Sequence, residues 1–328
     1  MNKDFWQEKL TVGNLTFPRI MAAPLDGVTD SPLRQLIREF SPEVLLFSEM
    51  RHVACVANER DQKSLIHKPM EKPLCFQVAA NTLNFVDTAV QKILEQNFDM
   101  LNLNAGCPSR VVIKSGSGAA LMGDIPRLEM ILKRMYELVE GKIPLTLKMR
   151  AGFKERNAVE VAKRAEDCGV SMIIIHPRTQ PEMSNPPPDF VLTKKVKEAV
   201  KVPVVFSGNL MNAEDCKSAY EKTGVDGFMI GRALWGFPWK IREIMDALEG
   251  KTFVMDKLDA VHYAVKHFKL VLEHYGPRGF ASFKKQLPNY IWGLNGAAEI
   301  RRELLLLETA DEMLKGLESL VHNQEALR

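Results

Sequence analysis

The sequence predicts an α/β protein: a (β/α)8 TIM barrel followed by a small all-helical C-terminal domain. Two observations carry this. Eight short apolar runs rich in Val, Ile, Leu and Met recur through the first 235 residues, and most of the gaps between them have helical periodicity. After about Trp239 these runs give way to helical patterns separated by Gly-Pro, Pro and Gly signals.

Taken in order, KLTVGNLTF (9–17) reads as a hairpin turning at Gly13-Asn14, set beneath the barrel. The strand candidates are RIMAAPL (19–25), VLLFSEM (44–50), LCFQVAA (74–80), MLNLNAG (100–106), LTLKMRAG (145–152), SMIIIHPRT (171–179), VPVVFSGN (202–209) and GFMIGRA (227–233). Near-continuous apolar runs mean strands buried on both faces, as in a parallel sheet, and eight of them match a closed barrel. Between them, segments such as LNFVDTAVQKILEQ (83–96), PRLEMILKRMYELVE (126–140) and NAVEVAKRAEDCG (157–169) predict helices. An open doubly wound sheet would want G-x-G-x-x-G after its first strand. The nearest match, Gly116 to Leu121, follows the fourth run and has Leu121 in the third glycine's place.

The helical region reads as three runs, 257–276, 280–294 and 297–320. The change of pattern divides the chain into a barrel with its hairpin (1–240) and a helical domain (241–328).

Composition removes several function classes. With 46% hydrophobic residues in 328, the chain can bury a large core and is not a disordered protein. No stretch of 18 apolar residues exists, and MNKDFWQEKL lacks the apolar run of a signal peptide, so a cytoplasmic protein with no membrane partner is expected. The five cysteines are scattered, with no C-x-x-C pair and no histidines at ligand spacing, which argues against structural zinc, iron-sulfur clusters and a disulfide framework. No metal is expected. Net charge is only +3, but from His262 to Arg302 seven Lys or Arg face two acids. That excess is either a polyanion-binding surface or an ordinary solvated helix face.

In a barrel of this kind chemistry sits where the strands end, because the loops after them share one rim. The first run ends in Ala23-Pro24-Leu25-Asp26-Gly27, the third holds Gln77, the fourth closes on Asn102, Asn104 and Cys107, and the fifth carries Lys148 and Arg150. The sixth ends in His176 and Arg178, the seventh in Ser207-Gly208-Asn209 and the eighth in Gly231-Arg232. Singly, each has a structural reading: Lys148 can snorkel, His176 can be a satisfied core histidine, Gln77 can bond a neighbouring backbone. Together they place polar groups from many strands at one point. Loops after strands seven and eight often bind phosphate through backbone N–H groups, and Gly208-Asn209 and Gly231-Arg232 suit that role. Lys148 and Gln77 would face the head of the same phosphorylated ligand. Cys107, between a glycine and a proline, is a packed thiol, a metal ligand, a disulfide partner or a reacting group.

The motifs APLDGVTD (23–30), FQVAAN (76–81), NLNAGCP (102–108) with KSGSGAALM (114–122), KMRAG (148–152), HPRT (176–179), SGN (207–209) and IGRA (230–233) occur in the order found in the tRNA-dihydrouridine synthase family, which the chain resembles over nearly its whole length. The helical region joins in through EHYG, the Lys284-Lys285 pair and YIWGLNGAAEIRREL. The resemblance implies flavin mononucleotide (FMN) contacts at Pro24, Leu25, Asp26, Gln77, Lys148, His176, Ser207, Gly208, Asn209, Gly231 and Arg232. It places the catalytic cysteine at Cys107 and an asparagine near flavin and target uridine at Asn104. Asn102 stands where the family commonly has aspartate, HPRTQ replaces H-G-R-T-R, SGN replaces N-G-D, and PEMSNPPPDF (181–190) is unlike the usual sequence.

The implied reaction is NADPH-dependent, FMN-mediated reduction of the C5–C6 bond of a specific uridine in tRNA to 5,6-dihydrouridine, with NADH the other candidate donor. An ordinary cysteine thiol, with a pKa of about 8.5, is mostly protonated near neutrality and can act as the general acid that protonates C5. Reaching a barrel mouth requires the uridine to leave its stack. Arg178 and Lys114 at the rim, and Lys284 and Lys285 in the helical domain, are the expected RNA contacts. The alternatives are the same reaction on a ribosomal RNA uridine, a free-pyrimidine or dihydroorotate-type flavin dehydrogenase, and a noncatalytic RNA-binding relative. No protein partner is required, and a monomer is expected.

Overall fold

The computed structural model describes residues 3–322 apart from Ser184. Strands β1 (Lys9–Val12) and β2 (Leu15–Pro18) form an antiparallel hairpin with Val12 opposite Leu15, turning at Gly13-Asn14 with Gly13 at a positive φ of 60°. The remaining strands are β3 (Ile20–Ala22), β4 (Leu46–Phe47), β5 (Arg51–His52), β6 (Leu74–Ala79), β7 (Met100–Ala105), β8 (Leu145–Gly152), β9 (Ile173–Thr179), β10 (Val204–Ser207) and β11 (Gly227–Ile230). Each of the eight apolar runs contributes one strand, and β5 is a short addition beside β6. The order is β3-β11-β10-β9-β8-β7-β6-β4 with parallel pairing throughout. The Ala22 N–H donates to the Leu45 carbonyl at 3.1 Å and closes the ring between β3 and β4.

Alternation along each strand sorts side chains between two cores. Leu101, Leu103 and Ala105 of β7 and Leu145, Leu147 and Met149 of β8 face the outer helices. Met21, Cys75, Met100, Met172, Ile174, Val205 and Met229 fill the interior, where Leu10, Val12 and Phe17 of the hairpin join them. The hairpin lies where the strands begin: Gly13 packs against Pro144, and Gly227 approaches Leu10. That end is plugged with apolar side chains, and the cleft described below lies at the opposite end.

The outer helices follow their sequence signals. In Ile125–Val139, Leu128, Ile131, Leu132, Met135 and Val139 are buried at helical spacing, and Asp124 caps the start by accepting from the Arg127 N–H at 3.1 Å. Helix Lys240–Leu248 also belongs to the barrel, since Ile241, Ile244 and Leu248 enter the outer core. A third core, that of the helical region, begins with Trp239 and Met255 and gathers around Phe268, Phe283 and Tyr290. The outer barrel core and this helical core thus interleave across the 240/241 division drawn from the sequence pattern.

In the helical region Lys257–Tyr275 is one helix, as the pattern predicts. The run 280–294 forms only short turns, Phe280–Phe283 and Leu287–Asn289, because Pro288 lacks an N–H and cannot extend a helix. The run 297–320 is two helices, Ala297–Leu306 and Ala310–His322. Its break is a capping box: Thr309 Oγ1 accepts from the Glu312 N–H at 3.2 Å, and Glu312 Oε2 accepts from the Thr309 N–H at 3.1 Å. The T-x-x-E signal was present in the sequence, overshadowed by the apolar run Leu304–Leu307. No helix among the described residues is long and apolar enough to cross a membrane.

Candidate active site

At the open end, the inward positions of the strands turn polar. Gln77, Asn102 and Asn104 are buried and bond one another in a chain. Gln77 Nε2 donates to Asn102 Oδ1 at 2.7 Å, Asn102 Nδ2 to Thr146 Oγ1 at 2.9 Å, and Asn104 Nδ2 to Gln77 Oε1 at 2.8 Å. Asn102 uses both halves of its amide, whereas an aspartate offers acceptors only. Thr146 Oγ1 in turn lies 3.2 Å from the Leu101 carbonyl. Buried polar groups are tolerated when satisfied in this way.

The chain of bonds ends at the cysteine. Asn104 Oδ1 accepts from the Gly106 and Cys107 N–H groups at 3.0 and 2.8 Å, closing a turn directly after β7. The Cys107 carbonyl accepts from the Ala119 N–H at 3.1 Å. Gly118, at φ +60°, passes so close that a Cβ there would lie 2.8 Å from that carbonyl oxygen. Arg150 Nε donates to the Gly106 carbonyl at 2.8 Å, and its NH1 to the Thr179 carbonyl at 3.0 Å. Strand end, glycine-rich loop and Arg150 together hold a half-buried thiol at the barrel mouth.

Beside it lies a cleft of about 350 Å³ lined by Pro24, Leu25, Lys148, His176, Ser207, Gly208, Asn209, Gly231 and Arg232, among others. The two loops meet where Arg232 NH2 donates to Asn209 Oδ1 at 2.6 Å. The amides of Asn209, Gly231 and Arg232 have no backbone acceptor among the described residues, leaving a set of N–H donors at one end of the cleft. Gly208 abuts the imidazole, since a Cβ there would come within 2.8 Å of His176 Cδ2.

The cleft is cationic. Burial, reinforced by Arg150, pulls the Lys148 ammonium down to about 8, and the ammonium has no carboxylate partner among the described residues. Burial, with Lys148, Arg150, Arg178 and Arg232 around it, holds His176 neutral, at about 2. Unpaired cations and free amides facing one small cavity suit an anionic, phosphate-bearing ligand.

A family model described as dihydrouridine synthase (Dus) matches residues 21–326. The chain is 30% identical over 317 residues to a probable tRNA-dihydrouridine synthase 1 of Synechocystis sp., covering 95% of this chain and 89% of that one. It is 32% identical to a probable tRNA-dihydrouridine synthase of Rickettsia conorii, covering 91% and 92%. The chain belongs to the dihydrouridine synthase family. At the level of fold it is similar to an old yellow enzyme homologue from Zymomonas mobilis, with a TM-score of 0.57 at 14% identity over 76% of this chain and 94% of that one. It also resembles histamine dehydrogenase from Rhizobium sp. 4-9, with a TM-score of 0.59 at 13% identity over 82% of this chain and about half, 51%, of that longer one.

Against the positions carried over from the dihydrouridine synthase family, the structure gathers Pro24, Leu25, Lys148, His176, Ser207, Gly208, Asn209, Gly231 and Arg232 at the cleft. Gln77 is 1% exposed and engaged in the amide network below it. Asp26 points away, its side chain 74% exposed and 3.4 Å from Arg51. Arg178 is 1% exposed beside His176, while Lys114 is exposed on the short helix Arg110–Lys114. Lys284 Nζ donates to the carbonyls of Leu305 and Leu307 at the end of helix Ala297–Leu306, and Lys285 is exposed. Arg150 stood on the predicted rim without a role; its position two residues after Lys148, hence on the same face of β8, was the signal for one.

Proposed function

We propose that this protein reduces the C5–C6 double bond of a uridine in tRNA to 5,6-dihydrouridine, with FMN held in the cleft and NADPH as electron donor. The observation that carries the reading is the juxtaposition of an anion-binding cleft with a thiol fixed at the same barrel mouth. Asn209, Gly231 and Arg232 supply amides for a single phosphate, Gly208 lets the backbone approach it, and Ser207 and His176 lie beside them. Lys148 offers a positive charge to the electron-rich edge of a reduced ring. When bound there, FMN reduced by NADPH would supply the hydride for C6 of the uracil. Cys107 donates its proton to C5, so that the two additions together make the dihydro product. Asn104 holds the Cys107 amide and so sets where that thiol sits.

The proposal fits a uracil drawn out of its stack, since the thiol lies at the mouth and not on an outer surface. Incubating the purified protein with NADPH and RNA, then measuring nucleoside masses, tests it: a gain of two hydrogens on a tRNA uridine is expected. Gain on ribosomal RNA or on free pyrimidines instead would replace the substrate. A protein that releases no FMN and takes none up would remove the scheme.

A further inference from the structure

We infer that Arg178 selects the tautomer of His176, so that the imidazole meets its ligand as a hydrogen-bond donor through Nδ1. Arg178 NH1 lies 3.1 Å from His176 Nε2. A guanidinium only donates, so Nε2 must accept and the single proton of the neutral ring must sit on Nδ1. Addition of a second proton would turn an N–H toward a guanidinium, and the surrounding cations keep the ring neutral.

The geometry is over-determined. His176 and Arg178 stand two residues apart on β9 and therefore share a face. Arg178 Nε donates to the Pro186 carbonyl at 2.5 Å, which anchors the guanidinium from the far side. No carboxylate comes within ion-pair distance of it among the described residues, so its place is not explained by a salt bridge. Gly208 closes against the same edge of the ring, where a Cβ would come within 2.8 Å of Cδ2, 3.2 Å of Nε2 and 3.7 Å of Arg178 NH1. Nδ1 has no partner among the described residues, yet it is not one of the sealed, unpaired polar atoms, whereas Arg178 NH2 is. The Nδ1–H therefore opens on the cleft that His176 lines. Its complement is an oxygen acceptor on the bound ligand, a phosphate or carbonyl oxygen. Arg178 is in this sense a positioning residue, acting through His176.

The inference rests on the FMN reading for its ligand but not for its tautomer, and the test separates the two. In the full-length protein, 15N spectra of the histidine rings, with the His176 signals assigned by their loss in His176→Asn, should show Nδ1 protonated and Nε2 unprotonated. Arg178→Met should mix or reverse that pattern and weaken FMN binding at least ten-fold, the size of a lost hydrogen bond to a charged group. Asn at 176 places an amide donor near the Nδ1 position with no tautomer to choose. In the His176→Asn background, Arg178→Met should therefore cost little further affinity. A wild-type spectrum with Nε2 protonated overturns the inference without any variant. Equal losses from Arg178→Met in both backgrounds overturn it too, since Arg178 would then act on the ligand or the fold directly. A wild-type protein that binds no FMN removes the cofactor reading and leaves the tautomer measurement standing.

Discussion

Asn104 Oδ1 holds the Cys107 amide at 2.8 Å, and the same side chain's Nδ2 is tied to Gln77 Oε1 at 2.8 Å. The position of the thiol is thereby linked to an amide network inside the barrel. Replacing Asn104 with Ala leaves two N–H groups and the Gln77 oxygen unpaired. The expected loss is about 1–3 kcal/mol of stability, read from the denaturant midpoint, with a fall in dihydrouridine formation beyond what the residual folded fraction explains.

Cys107→Ala should lower dihydrouridine formation by roughly 10²- to 10⁴-fold, the usual worth of a general acid. Flavin content and NADPH oxidation by an artificial acceptor should stay near wild type, because the thiol acts only on the uracil. Product formation at the normal rate would make Cys107 a packed thiol.

Lys148 titrates at about 8 in the ligand-free protein because burial, and then Arg150, disfavour its charge. A charged lysine favours an anionic ligand, so FMN affinity should fall as pH rises through about 8, and Lys148→Met should flatten that dependence. Stability moves the other way. Between about 8 and the ordinary lysine range, the unfolded chain keeps a proton that the folded one has lost, so the ligand-free protein gains stability with rising pH there. Calorimetric titration across pH 6.5–9.5 checks the first, thermal melts the second.

Asp30 caps helix Ser31–Phe40 through the Leu33 N–H at 3.1 Å, and burial, with Glu49 nearby, raises its carboxyl to about 7. Folded protein then holds a proton that the unfolded chain releases near 4, so this group costs stability as pH climbs from about 4 to 7. Asp30→Asn keeps a capping oxygen and should narrow the difference between melting temperatures at pH 5 and pH 8. An unchanged difference would show that Asp30 is not the group responsible.

Lys284 and Lys285 should separate. Lys284 caps carbonyls, so Lys284→Ala is expected to cost about 1 kcal/mol of stability. Exposed Lys285 is the better candidate for an RNA phosphate, and Lys285→Ala should reduce the salt slope of RNA binding by roughly 0.7–0.9. A slope unaltered in both variants would withdraw this segment from RNA binding.

The barrel, and the rim on which the candidate site residues gather, were legible in the chain because both depend on local pattern. Eight apolar runs separated by helical segments define a parallel sheet. Parallel strands end on one rim, so polar residues at the ends of the runs, from Lys148 to Arg232, had to converge. The role of each polar group was decided by partners that no local pattern reveals. Gln77 is taken up by Asn102 and Asn104 on the neighbouring strand, Asp26 turns to Arg51, and Arg178 turns inward to His176. The basic stretch of the helical region is likewise drawn down by remote acids and carbonyls: Lys266 pairs with Glu39, Lys269 with Glu318, and Arg301 donates to the Ile291 carbonyl. Side-chain pairing is a short-range interaction between groups far apart in the chain, so only the folded arrangement determines which charges remain free.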